Sequence, residues 1–361
     1  MFASAFFGAI WACPQSAPCN LGLSPNCTFC ISVEGICTLV AKALKPPKPC
    51  GNVLTRHEKH ERHRKKEVNK MEKKKITKPF MMVLAIYVLY YILHVTEVFV
   101  IRTDQTWVGE AIIHKLLGIV IMALIAIMLG YSREEIGFLK GKNILNVFKG
   151  LAFGFGVFAI AYATEVILAK SAGSYESMKL YVSAYAIDKN VGNRTELIFF
   201  VICIIGNIVN VLMEEGNFRG LFLRILGEKY VFTKAAIISS VLFGFWHIVS
   251  PLRNYFDGEQ SLAGTIFNAV FLLVASALVG LKFTMLTRMT GSVYMSMGDH
   301  FFNNTIVNLL HVVTKTGADE MMTVRVSIAQ SLSFVIVLVC YLIWRRKNAL
   351  NNEREAGFIE S

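Results

Sequence analysis

Between Glu196 and Leu226 the chain reads ELIFFVICIIGNIVNVLMEEGNFRGLFLRIL, an apolar run that nevertheless contains Asn207, Asn210, Glu214, Glu215 and Arg219. A hydrocarbon core about 30 Å thick is crossed by roughly 20 apolar residues of helix. An ionisable group at that depth costs about 2.5–3.5 kcal/mol on insertion scales, so such groups normally face a protein interior and mark function. The run therefore predicts a membrane helix with a polar stripe turned toward partner helices. At about 100° per residue, Glu215 and Arg219 lie one turn apart and can pair, whereas Glu214 is rotated away, in line with Asn207 and Asn210. Glu214 is thus the carboxylate free to face a site, and Glu215 with Arg219 is the supporting pair.

Working outward, seven further apolar runs lie at about residues 80–101, 109–130, 147–169, 233–251, 263–281, 285–311 and 325–344. The predicted fold is all-α, a polytopic membrane bundle of about eight transmembrane helices over residues 80–345. Composition agrees: 54% of the 361 residues are hydrophobic, against about 45–50% in soluble domains even with glycine counted, and the mean hydropathy is +0.51. The net charge of +12 owes much to one run, Arg56 to Lys78, which abuts the first span. It reads as a topology signal and lipid contact, not as a nucleic-acid surface. Basic residues also follow the even-numbered spans: Arg133, Lys140, Lys142 and Lys149, then Arg224, Lys229 and Lys234, then Lys282 and Arg288, then Arg345, Arg346 and Lys347. The other loops hold fewer, near Arg102, Arg253 and Lys315, except for the four between Lys170 and Arg194. This bias places both termini in the cytoplasm, and the membrane would be the plasma membrane in a bacterial host.

Residues 1–79 are expected to be a poorly ordered cytoplasmic preamble and 346–361 a cytoplasmic tail. Six of the eight cysteines, Cys13, Cys19, Cys27, Cys30, Cys37 and Cys50, fall in the preamble. Only Cys27 and Cys30 form a C-x-x-C, no second pair completes a zinc site, and structural disulfides are rare in a reducing compartment. The opening MFASAFFGAIWA lacks the basic start of a secretory signal. Met71 begins MEKKKITKPFMMVLAIYVLYYIL, a sufficient start for a membrane protein, so residues 1–70 are expected to be dispensable or a start-site artefact.

Two more spans carry polar groups. The fifth ends SSVLFGFWHIVSP, with Phe243 and His247 on one face; the seventh reads SVYMSMGDHFFNNTIVNLLH, with His300, Asn304, Asn308 or Val307, and His311 on a stripe. A lone histidine in an apolar helix is ordinarily a core residue, and amide stripes can be interhelical glue. Depth joins them. Counted from the turn at Gly227–Val231, Glu214 and His247 lie roughly 18–21 Å along their helices, and His300 comparably deep. A carboxylate, two imidazoles and an amide meeting in a wet cavity suit water activation, with Glu214 as general base, His247 sharing the water, and His300 and Asn304 aiming N–H donors at an oxyanion. Glu214, His247 and His300 could instead ligate zinc with a bound water as nucleophile. The residues do not choose between zinc and no metal, and no H-E-x-x-H is present.

The segments EEGNFR (Glu214–Arg219), FGFWH (Phe243–His247) and HFFNN (His300–Asn304) resemble the E-E-x-x-x-R, F-x-x-x-H and H-x-x-x-N motifs of the CPBP intramembrane proteases, which include type II CAAX prenyl endopeptidases and bacterial Abi-type relatives. The resemblance covers about residues 80–345. It implies an eight-helix intramembrane endopeptidase in which Glu214 activates water with His247 as partner, His300 and Asn304 stabilise the oxyanion, and Glu215 and Arg219 fill the remaining motif positions. Such proteins are often described as metalloproteases, and a metal-free glutamate mechanism is also advocated. Gly216-Asn217 departs from the bulky apolar pair common there, which is expected to alter helix packing. The implied substrate is a peptide or lipidated protein cut near its C-terminus. The alternative is a catalytically silent relative, a scaffold or bacteriocin-immunity protein. A transporter fits less well, because no inverted repeat or paired broken helices are visible. Polar groups outside the motifs, His94, Glu97, His114 and Glu165, are expected to be interfacial or structural.

Overall fold

A computed structural model describes residues 76–139, 141, 143–183 and 193–359. The preamble, including its six cysteines, lies outside the described residues. Among the described residues, ten α-helical segments form eight helical units. Helix α1 (Pro79–Thr96) runs into a π-helical turn, Glu97–Ile101; α2 is Ile113–Met128 and α3 Asn143–Ser171. The fourth unit is α4 (Leu197–Glu214), a π-helical turn over Glu215–Leu221, and α5 (Phe222–Leu226). The fifth is α6 (Phe232–Trp246) with α7 (Val249–Phe256). Helices α8 (Leu262–Thr290), α9 (Tyr294–Leu309) and α10 (Met322–Ile359) complete the bundle.

Six of these units are long and apolar enough to cross a membrane, and the chain is an integral multi-pass membrane protein. The lipid-facing character is plain on α8, where Ile266, Phe267, Val270 and Val274 are all exposed, an arrangement that only an apolar solvent favours over so many helices. Helix α2, with 16 residues, spans about 24 Å, less than a full core. Termini follow local chemistry. Pro79 opens α1, where its missing N–H costs nothing. The Ser261 side chain caps α8 by accepting from the Gly264 amide, and Gly291 in the left-handed region ends it.

Helix α8 corrects two expectations. The loop expected at 281–285 does not exist, because the helix runs on to Thr290 and the next begins at Tyr294. Lys282 is therefore no loop charge; it is fully buried and paired with Asp299 at 2.9 Å. Arg253 is likewise buried on α7, donating to the Val98 carbonyl and to Asp257. The tail expected from residue 346 continues α10 as helix.

A two-stranded antiparallel ribbon, not foreseen, pairs β1 (Tyr175–Leu180) with β2 (Leu310–Thr314), with Lys179 opposite His311. His311, expected on the polar stripe of the seventh span, thus sits beyond the helix. Its Nδ1–H donates to Asp319 at 3.0 Å and its ring stacks on Tyr181. Asp319 also binds Arg325, which pairs with Glu165 at 2.6 Å. Glu165 is thus structural and not interfacial.

The main core gathers Tyr87 and Tyr90 of α1, Phe218 and Phe222 of the fourth unit, and Phe243 and Trp246 of α6. Small residues let other helices touch backbone to backbone. A Cβ on Gly298 of α9 would meet the Val147 carbonyl of α3, and one on Gly244 of α6 would meet the Leu273 carbonyl of α8. These two close contacts fix α9 and α6, the helices that carry His300 and His247.

Candidate active site

The site is built around the junction of α4 with its π-helical turn. A π turn leaves an α-type carbonyl without its usual partner, and Asn217 supplies one: its Nδ2 donates to the Met213 carbonyl at 2.8 Å. From α6, the Ser239 hydroxyl donates to the Phe218 carbonyl at 2.6 Å. Gly216 has a separate reason to be small, because a Cβ there would lie 2.7 Å from the Met122 sulfur of α2. The Gly216-Asn217 departure is thereby explained: it lets α2 approach and satisfies the turn. Consecutive glutamates at this junction point into one polar centre.

Glu215 is fully buried. Its Oε1 lies 3.3 Å from the Arg219 guanidinium and accepts from Nδ1–H of His300 at 2.9 Å. The guanidinium lies 3.9 Å from the centroid of the Phe243 ring, with Phe283 and Phe218 further round it. Three aromatic faces thus replace the water that Arg219 loses on burial. His300 stacks on Phe283, centroids 4.8 Å apart. Arg219, Glu215 and His300 form one chain of contacts that holds the imidazole by its Nδ1 edge. The other edge is open to Glu214, whose Oε2 lies 3.5 Å from His300 Nε2. That Glu214 oxygen is buried and has no hydrogen-bond partner among the described residues.

His247 sits at the C-terminus of α6, where its Nδ1–H donates to the Phe243 carbonyl at 2.8 Å. A carbonyl can only accept, so the neutral ring keeps its lone pair on Nε2. His247 is within electrostatic reach of both Glu214 and His300. Asn304, one turn beyond His300 on α9, is half-buried and lines a cavity of about 320 Å³. The structure thus joins Glu214, Glu215, Arg219 and His300 by direct distances, with His247 beside them and Asn304 on the adjoining cavity wall.

Zinc fits this arrangement poorly. Among the described residues no three His, Cys, Asp or Glu side chains are grouped to hold a metal ion. No step below is routed through a metal.

A second polar group joins three of the residues expected to be interfacial or structural. His94 and His114 stack at 4.4 Å, and His94 lies against Trp246 at 4.2 Å, one residue from His247. Glu97, at the start of the first π turn, accepts from His114 Nδ1 at 2.6 Å and from the Ile113 amide at 2.8 Å, so it caps α2. His94, Glu97 and His114 are buried, not interfacial. The available signal was that Glu97 and His114 flank a short connection between two spans and can meet across it. Lys282 and Asp299 could likewise have been read as a pair at depth.

No curated protein matches the chain. Residues 196–306, the range that holds Glu214, Glu215, Arg219, His247, His300 and Asn304, match the family model described as type II CAAX prenyl endopeptidase Rce1-like. Over those residues the chain is similar to the Rce1-like type II CAAX prenyl endopeptidases.

Proposed function

We propose that this protein is an intramembrane endopeptidase that hydrolyses a peptide bond near the C-terminus of a membrane-associated peptide or lipidated protein. The observation that carries the reading is the unpartnered, buried Glu214 oxygen facing His300 Nε2. Desolvating a carboxylate and leaving it unpaired is costly unless it has work to do.

Glu214, with His247 Nε2 beside it, takes a proton from a water, and the hydroxide adds to the scissile carbonyl carbon. The resulting oxyanion needs N–H donors, and Asn304 Nδ2 and His300 Nε2 supply them. With Nδ1–H held by Glu215, donation from Nε2 requires His300 to carry both ring protons. Glu214 then returns its proton to the leaving amine as the carbon–nitrogen bond breaks. Arg219 and Glu215 take no part in bond making; they hold His300.

Purified full-length protein in detergent, offered a farnesylated CAAX-type peptide, tests this. Glu214→Ala, His247→Ala and His300→Ala are each expected to abolish cleavage while the helical circular dichroism signal is retained. Cleavage by chelator-treated, metal-free protein should equal that of untreated protein. Retained cleavage in all three variants refutes the residue assignment, and a cellular phenotype that survives Glu214→Ala supports a silent scaffold instead. The basic flanks further support both termini lying in the cytoplasm.

A further inference from the structure

Hydrolysis consumes one water for each peptide bond cut, and a site walled by apolar helices has to be supplied with it. Beside Trp246 lie polar groups that the proposed hydrolysis does not use. His94 of α1 and His114 of α2 stack with ring centroids 4.4 Å apart, and the two rings lie 4.2 and 5.7 Å from that of Trp246. Both histidines are buried. One nitrogen of each, His94 Nδ1 and His114 Nε2, has no hydrogen-bond partner among the described residues. A buried polar atom left unpaired is costly, and two on neighbouring rings call for water to complete them.

Glu97 sets the His114 ring for this. Its carboxylate accepts from His114 Nδ1–H at 2.6 Å, from the Ile113 and His114 amides at 2.8 and 2.5 Å, and from the Thr103 hydroxyl. With Nδ1–H given to Glu97, a neutral His114 ring carries its lone pair on Nε2, the edge turned away from the carboxylate. Thr103 is half-buried in the connection between α1 and α2, so this chain of contacts starts near the surface. Its other end lies beside the site. A Cβ on Gly118, one turn after His114, would stand 2.8 Å from Met213 Cγ, and Met213 immediately precedes Glu214. His114 is within electrostatic reach of Glu214, and His94 of His247.

We propose that His94 and His114 hold water between the α1–α2 connection and Glu214, and that this water replaces what each turnover consumes. The inference rests on the endopeptidase reading for the use of the water and not for its position. Water can donate to His114 Nε2 and can either donate to or accept from His94 Nδ1, so it suits both rings in any neutral tautomer. Neither imidazole touches the substrate. Each acts through the water it passes to Glu214 and His247.

Two measurements on the full-length protein test this. In lipid bilayers, with isotopically labelled histidine, water-edited solid-state NMR reads the position. The ring nitrogens of His94 and His114, assigned by their loss in variants, should receive magnetisation from water well before the core backbone amides do. Cleavage of a farnesylated CAAX-type peptide reads the use. His94→Phe keeps the aromatic stack on His114 and Trp246 but removes the ring nitrogens, whereas His94→Asn gives up the stack and keeps a polar atom near Nδ1. His94→Phe should lower kcat about tenfold, the effect of one lost hydrogen-bonded water, with KM unchanged, and His94→Asn should recover most of it. A packing role predicts the opposite order, with the Phe variant active and the Asn variant damaged. That order, or ring nitrogens that water does not reach, overturns the inference. His114→Phe and His114→Gln repeat the comparison if circular dichroism shows a His94 variant unfolded. If wild-type protein does not cut the peptide, the endopeptidase reading fails and the NMR decides the water site by itself; cleavage with dry imidazoles leaves that reading standing and removes this one.

Discussion

At the scale of single residues, adjacent glutamates have opposite duties, and variants should separate them. Glu215 is enclosed by Arg219 and His300, so removing either charged partner leaves the other buried and uncompensated. Arg219→Ala is expected to cost about 3–5 kcal/mol of stability, read as a large fall in melting temperature in detergent. Arg219→Lys should not restore it, because an ammonium cannot lie flat between the Phe243 and Phe283 rings. Glu214→Gln should do the reverse: stability little changed, since Glu214 Oε2 makes no hydrogen bond among the described residues, and cleavage reduced about 10²–10⁴-fold, the range for a lost general base. If the two variants lose stability and activity in equal proportion, the division of labour is wrong. Helical spacing alone separated these glutamates, because only Glu215 lies one turn from Arg219. What spacing could not reveal is that His300 turns its Nδ1 edge to Glu215, since that depends on how α9 is rotated against α4.

At the scale of elements, close helix contacts and the ribbon carry separate predictions. A Cβ on Gly298 would stand 2.2 Å from the Val147 carbonyl, a backbone atom with no freedom to yield. Gly298→Ala is therefore expected to destabilise by about 1–3 kcal/mol or more and to lower activity by shifting His300. Gly156→Ala, on α3 where nothing lies within 4 Å, should stabilise by about 0.5–1 kcal/mol through helix propensity. The ribbon is tied to the bundle by Asp319. Burial raises its carboxyl, but hydrogen bonds from His311 and Arg325 outweigh this and hold it below the ordinary carboxylate range. A depressed folded-state value contributes stability that is present above the unfolded-state value and lost as pH falls through the folded one. Acid should therefore loosen β1 and β2, seen as faster amide exchange there, and Asp319→Asn should be nearly flat over the same interval. Equal acid sensitivity in the variant would exclude this clamp. The helices were legible from hydropathy because lipid contact demands long apolar runs. The ribbon was not, because Tyr175–Leu180 is short and polar and its partner follows a helix without a break in hydropathy. The boundary at Lys282 failed for a related reason: a lysine reads as a loop until Asp299 is brought against it.

At the scale of the whole molecule, the corrected positions of two basic residues sharpen the charge asymmetry without reversing it. Lys282 leaves the tally of one group of connections and Arg253 that of the other, while Arg133, Arg224, Lys229, Lys234, Arg288 and Arg345 to Lys347 still follow the even-numbered apolar runs. The cavity lined by Asn304 reaches toward the other end. Two of its lining residues, Glu110 before α2 and Lys115 at the start of α2, belong to the end that carries the ribbon. If the basic side is cytoplasmic, as the bias favours, the substrate's main chain enters from the opposite face, and a peptide presented outside the cytoplasm reaches Glu214 more directly than a cytosolic one. Sealed vesicles with the protein in one orientation, fixed by protease access to a C-terminal tag, make this testable. An unfarnesylated, membrane-impermeant peptide should be cut when added opposite the tag and spared when added on the tag side. Cleavage from the tag side would mean that the substrate path runs past the basic loops.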